Sequence, residues 1–159
     1  LSTALIQNSR FEQMHRGNAS LDLPEYREPL PLSIRDRSAN YARSYGLESF
    51  WKANAEGIQQ SVDHALDDAG ITHAEVRAWS VPHFGETLLH RQCLEPLGLD
   101  PMETTVQFGL QIGHTGAADP LLGLQYLRNQ SAITPGDHIA LIGIGAGFTW
   151  GCTILRYLG

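Results

Sequence analysis

An α/β protein built on a mixed sheet is the fold class that this sequence predicts, on three observations. Stretches with apolar residues at helical spacing alternate with short apolar runs, in the order helix, strand, helix, strand, helix, strand, strand. Right-handed crossovers through the helices make the earlier strands parallel, with helices on both faces. The last two runs are joined only through Gly145-Ala146-Gly147, so the final strand is expected to be antiparallel to its neighbour. With 159 residues, 42% of them apolar, the chain suffices for one core and not for two independent ones.

Taken in order, residues 1–7 read as a short strand. Residues 8–45 read as irregular, with Pro24, Pro29 and Pro31 and scattered charge; such a long aperiodic stretch often belongs to a binding surface. Arg35, Arg37 and Arg43 cluster there in an otherwise acidic chain. They form either a solvated face or a contact for phosphate or an acidic carrier. A domain boundary is placed at 45, with the ordered unit over 46–159. From Ser49, the residues Phe50, Ile58, Val62, Ala65, Leu66 and Ala69 recur with helical spacing, and Gly70 is the stop. Residues 76–81 read as a strand ending at Pro82-His83. A helix over 86–97 carries Leu89, Cys93, Leu94 and Leu97 and ends at Gly98. Residues 104–108 read as a strand, 120–129 as a helix, and Pro135-Gly136-Asp137 as a turn. Strands over 138–144 and 148–157 close the chain.

A net charge of −6 argues against a nucleic-acid binder, which needs a basic face. No apolar run approaches the roughly 18–20 residues of a membrane span. No basic segment followed by an apolar one precedes Leu1, so a signal peptide is expected to be absent or lost. Cys93 and Cys152 lack zinc-like or CxxC spacing and sit in apolar surroundings, as buried thiols of a cytoplasmic protein would. No histidine pair makes a metal pattern such as HExxH, so no metal site is expected.

Chemistry concentrates in three places. The segment GIGAGFTWG, starting at Gly143, has GxGxG spacing, but too few residues follow for the helix and acidic strand of a dinucleotide site. It reads better as a glycine-rich hairpin tip whose backbone amides approach a substrate. His83, in VPHFGE, ends a strand at the sheet edge where α/β sites collect; it is either a satisfied structural residue or a catalyst. His114 and Asp119, in GHTGAADP, form the most informative pair. An imidazole oriented by a carboxylate is a base near neutral pH. Asp119 before Pro120 is also what a helix N-cap followed by a first-turn proline looks like. His15, His64, His73, His90 and His138 have nothing polar and helpfully spaced around them and are not read as catalytic.

Together, VPHFGE, GHTGAADPLLGLQYLRNQSAITPGDHIALIGIGAGFTWG and the final LRYLG resemble the C-terminal half of the beta-ketoacyl-acyl-carrier-protein synthase III family, from about residue 49 onward. The resemblance implies a thiolase-like fold, in which two similar halves stack in five layers (alpha-beta-alpha-beta-alpha), with an absent N-terminal half completing this one. It places the nucleophilic cysteine in that other half, and neither Cys93 nor Cys152 stands at an activating helix N-terminus. This chain alone would be inactive. Condensing members carry Asn where His114 stands, and an imidazole does not reproduce a primary amide. The change resembles a subgroup in natural-product pathways, such as polyketide and antibiotic biosynthesis, that transfers acyl groups through a Cys-His-Asp or Ser-His-Asp triad. The resemblance implies roles in turn: His114 as base, Asp119 as its orienting group, His83 as donor to the thioester oxygen or leaving sulfur, and the amide of Ala146 in the oxyanion hole. Phe84 and Gly145 are expected to face the substrate. The implied donor is an acyl carrier protein or coenzyme A thioester, and the acceptor a small molecule with a hydroxyl, amine or thiol. The protein would be a homodimer needing no cofactor. The competing readings are a decarboxylating condensing enzyme and a non-catalytic partner subunit.

Overall fold

The computed structural model describes residues 1–16 and 33–159; Pro24, Pro29 and Pro31 lie outside the described residues. Four strands form one sheet among them: β1 (Ser2–Gln7), β2 (Val76–Ser80), β3 (His138–Gly145) and β4 (Thr149–Arg156), in the order β1-β4-β3-β2. The β2–β3 pair is parallel, while β3–β4 and β1–β4 are antiparallel, as the connections imply. Seven α-helical segments accompany it among the described residues: α1 (Gln13–Arg16), α2 (Ile34–Tyr45), α3 (Glu48–Ala69), α4 (Glu86–Leu89), α5 (Glu95–Leu97), α6 (Val106–Ile112) and α7 (Asp119–Asn129). No helix among the described residues is long and apolar enough to cross a membrane.

Helices cover both faces. The stripe Phe50, Asn54, Gly57, Ile58, Ser61, Val62, Ala65, Leu66 recurs at one helical face of α3 and is buried. It packs against the sheet in a core with Trp79, Trp150, Cys152 and Ile154. On the other face, Leu127 of α7 joins Ala78, Ile133, Ile139 and Leu141 in a smaller cluster. Gly57 is required by contact: the Trp150 ring lies where its side chain would be. Gly70 ends α3 in the left-handed conformation, φ 68°, that its missing Cβ permits.

α4 and α5 are joined by one π-helical turn, His90–Leu94. In an uninterrupted α-helix the carbonyl of Gln92 would be paired with residue 96, but Pro96 has no N–H to give. Asn54 Nδ2 donates to that carbonyl instead, at 2.9 Å, while Asn54 Oδ1 accepts the Trp150 indole N–H at 3.0 Å. One buried amide on α3 thus satisfies groups on a helix and a strand at once.

Two expectations are corrected. Residues 104–108 are not a strand: Thr104 makes one isolated bridge to Trp79, and the chain then turns into α6. Thr104 Oγ1 accepts the Val106 N–H at 3.2 Å, and a short apolar run cannot by periodicity alone be told from a helix. Part of the segment 8–45 is helical, as α1 and α2. Ser33 caps α2 by accepting from Asp36 N at 3.2 Å, but IRDRSANYARSY is polar nearly all round and carries no apolar stripe to reveal it.

Cys93 and Cys152 are free and buried. Burial pushes both thiols up to about 12, far from thiolate chemistry at neutral pH. Neither is expected to react with iodoacetamide at pH 8 in the native protein. Intact mass spectrometry checks this, and stoichiometric alkylation before unfolding would overturn it.

Candidate active site

The candidate residues converge at the carboxyl end of β2, and the start of α7 is what gathers them. Ser80 Oγ donates to the Pro120 carbonyl at 2.9 Å, and Gly123 lies against the Ser80 side chain. Small residues on both elements therefore let α7 approach the strand end closely. Beyond Ser80, Val81 N donates to Thr105 Oγ1 at 3.1 Å, and the chain reaches His83.

Asp119 is the hub. Its side chain is 1% exposed. Oδ1 accepts from Thr115 N and Thr115 Oγ1, both at 2.7 Å, and Oδ2 accepts the backbone N–H of His83 at 2.8 Å. His114 Nδ1 stands 2.5 Å from Oδ2. The capping alternative is not what this side chain does: Ala118 occupies the N-cap of α7, and no side-chain cap bond is made. Burial by itself would raise the Asp119 carboxyl. Hydrogen bonds from the Thr115 hydroxyl, the His83 and Thr115 amides and His114 outweigh it, holding the group down at about 2. An ionised carboxylate only accepts, so His114 Nδ1 carries the proton and a neutral His114 keeps its lone pair on Nε2.

His114 follows α6, after Gly113 at φ 77°, rather than a strand. Its side chain is 48% exposed, with the ring edge-on to Phe84 at 4.9 Å. His83 is placed differently. It is 2% exposed, its ring packs edge-on to Phe108 at 5.5 Å and against Gly109, and its Nδ1 lies 3.4 Å from Asp119 Oδ1. Neither ring nitrogen makes a hydrogen bond of good geometry, though the Gly113 carbonyl lies near enough to act on the ring. Burial lowers its pKa, with the Asp119 charge and the Gly113 carbonyl opposing. The expected donor to the thioester is thus buried here, sharing the Asp119 carboxylate with His114, whose charge also acts on it.

Two cavities meet at His114. One, of about 370 Å³, has Phe84, Phe50, Trp51, Phe148 and His15 in its wall. The other, of about 420 Å³, is lined by Leu5, Pro82, Asp119 and Gly151 among others. His114, Ile144, Gly145 and Ala146 border both, so the imidazole and the hairpin tip form the ridge between them. His83 lines neither. Of the arginines, Arg35 and Arg43 are exposed, and Arg37 turns in to donate to the His15 carbonyl at 3.1 Å. Thr115, Gly109 and His15 carried no readable functional signal; only Thr115, four residues before Asp119, had a spacing that could have suggested its role.

The family model described as 3-oxoacyl-[acyl-carrier-protein (ACP)] synthase III C terminal matches residues 66–157. The chain is 31% identical over 147 residues to a beta-ketoacyl-[acyl-carrier-protein] synthase III of Ruegeria pomeroyi, covering 89% of this chain and 45% of the relative. A beta-ketoacyl-[acyl-carrier-protein] synthase III of Thermosynechococcus vestitus is 36% identical over 100 residues, covering 63% of this chain and 30% of the relative. The solved structure of ChlB3, described as an acyltransferase, overlays with a TM-score of 0.85 at 26% identity, over 99% of this chain and 46% of that one. The 3-oxoacyl-(acyl carrier protein) synthase III of Pseudomonas aeruginosa PAO1 overlays with a TM-score of 0.68 at 21% identity, over 100% of this chain and 44% of that one. These overlays agree with the thiolase-like architecture expected from the motifs, and the chain spans less than half the length of each of these relatives.

Proposed function

The chain belongs to the 3-oxoacyl-[acyl-carrier-protein] synthase III family through its C-terminal region, and from that premise we propose that the protein is an acyltransferase. The observation that carries this reading is the His114–Asp119 contact at 2.5 Å, which leaves the imidazole Nε2 lone pair free on an exposed ring between two cavities. The 26% identity to ChlB3 over almost the whole chain supports it.

In the proposed mechanism, a Cys or Ser on the complementary N-terminal half gives its proton to His114 Nε2 and attacks the thioester carbonyl of a carrier-protein or coenzyme A donor. The carbonyl oxygen becomes an oxyanion, held by the Ala146 amide with the nucleophile's own amide. The thiol leaves with the proton from His114, and an acyl-enzyme remains. The acceptor hydroxyl, amine or thiol then gives its proton to His114, attacks the acyl carbon and displaces the nucleophile, which recovers that proton. Asp119 stabilises the imidazolium at each transfer. His83 steadies Asp119 from behind through its backbone N–H, and Phe84 and Gly145 face the acyl group. We place this activity in a cytoplasmic homodimer of a natural-product pathway.

The relatives named as synthases favour a second reading, decarboxylating condensation. The two are separated by incubating the complete protein with acyl and malonyl thioesters. A covalent acyl-enzyme that transfers its group to an amine or alcohol without carbon dioxide release is the expected result. Carbon dioxide release persisting in His114→Ala would overturn it.

A further inference from the structure

His15 lies in α1 and lines the 370 Å³ cavity together with His114. Its backbone is held at both ends: the N–H donates to Glu12 O at 3.2 Å, and the carbonyl accepts from Arg37 Nη1 at 3.1 Å. The ring leans on Phe148, with centroids 5.2 Å apart. Its position is therefore built, and not that of a loose surface side chain.

Its two nitrogens differ. Nδ1 is sealed from solvent and has no hydrogen-bond partner. Burial lowers the pKa of the ring, so at neutral pH it carries one N–H and one lone pair. A sealed N–H with no acceptor is among the least tolerated orphans in proteins. The proton therefore belongs on Nε2, the nitrogen that is not sealed. Because His15 lines the cavity, that donor is offered to a wall made largely of Phe50, Trp51, Phe84, Phe148, Leu47 and Ile144, with Ser38, Gln92 and His114 as its other polar residues. A plain hydrocarbon filling this cavity would displace water from the donor and return nothing.

We propose that His15 is a substrate-recognising residue that donates a hydrogen bond to a hydroxyl or carbonyl oxygen borne by the acyl group, so that the site selects oxygenated acyl groups over plain hydrocarbon ones. This rests on the acyl-transfer reading only in naming the bound group as acyl. Hydrogen-bonding sites reject analogues lacking the partner far better than apolar pockets reject an added oxygen. The chemical class is a hydroxy- or oxo-acyl thioester.

The test uses amide-linked analogues of acyl-coenzyme A, which bind but do not transfer, with the complete protein in a calorimeter. The pairs are 3-hydroxybutyryl against butyryl and 4-hydroxybenzoyl against benzoyl. In the wild type, the oxygenated member of at least one pair is expected to bind about tenfold tighter or more. In His15→Leu the ratio falls to near one while the hydrocarbon member binds no worse; His15→Gln, which keeps an N–H donor, retains most of it. A ratio unchanged in His15→Leu, a wild-type ratio near one for both pairs, or no binding of any analogue overturns the proposal. The outcome is separable from the transfer reading. A clear ratio without acyl-enzyme formation sinks transfer and leaves His15 standing, and a flat ratio with an acyl-enzyme does the reverse.

Discussion

Replacing Asp119 by Asn is expected to lower acyl transfer by on the order of 10⁴ in kcat, the loss seen when a triad carboxylate becomes an amide. The steric change is small, and the electronic one is large. An Asn side chain has one acceptor oxygen where the carboxylate takes bonds from Thr115, His83 and His114. Its amide N–H₂, facing His114 Nδ1, would favour the opposite tautomer and move the lone pair away from the substrate. Stability should fall too, with a pH signature. The carboxyl is held at about 2 when folded, against about 4 in an unfolded chain. A depressed acid stabilises the fold fully above its unfolded pKa, and the contribution is lost as pH falls from there toward about 2. The difference corresponds to about 2.5 kcal/mol at neutral pH. Urea denaturation at pH 7 and pH 3 should therefore show a gap between wild type and Asp119→Asn that narrows in acid. A gap independent of pH, or unchanged kcat, would refute the shared-carboxylate account.

The second large effect is expected at a residue far from any proton transfer. Gly57→Ala should destabilise the protein by about 3 kcal/mol, at the upper end of what overpacking costs. On an exposed helix face the same change would stabilise by about 1 kcal/mol through helix propensity. Contact decides the sign here. The added Cβ would fall 2.3 Å from Trp150 Cε3, and that ring is 1% exposed with its indole N–H tied to Asn54 on the same helix. It cannot withdraw without breaking that bond and disturbing Phe148, with which it stacks at 6.2 Å. A thermal midpoint lowered by roughly 6–12 °C is the expected reading for a chain of this size. Trp150→Phe should be strongly non-additive with it, because the two residues share one space. A shift under 2 °C would show that the sheet and α3 yield more easily than their packing implies.

The elements that were legible in the sequence are those whose burial is periodic. α3 announced itself because Phe50, Ile58, Val62 and Leu66 all meet the sheet. The strands His138–Gly145 and Thr149–Arg156 did so because a glycine turn between two apolar runs leaves few alternatives. α2 was hidden, being polar nearly all round. The start of α6 is not legible, because the five residues 104–108, of Thr, Val, Gln and Phe, satisfy either period. The π-turn was invisible, since it answers to Pro96 and to an amide on another helix.

The site divides along the same line. His114 and Asp119 lie five residues apart, so local chain geometry brings them together, and the identity of His114, where the resemblance implies an amide in condensing members, is what singled the pair out. The sequence by itself thus determined the family, the long helix α3 with the closing strand pair, and the pair on which acyl transfer is proposed. Tertiary structure alone decided that Asp119 also holds His83, thirty-six residues away, that the His83 ring is buried, and that His15 lines the cavity. Contacts between distant segments depend on which small residues let helices approach, here Gly123 on Ser80 and Gly109 on His83. That closeness is a property of two surfaces at once, and no local pattern of either one contains it.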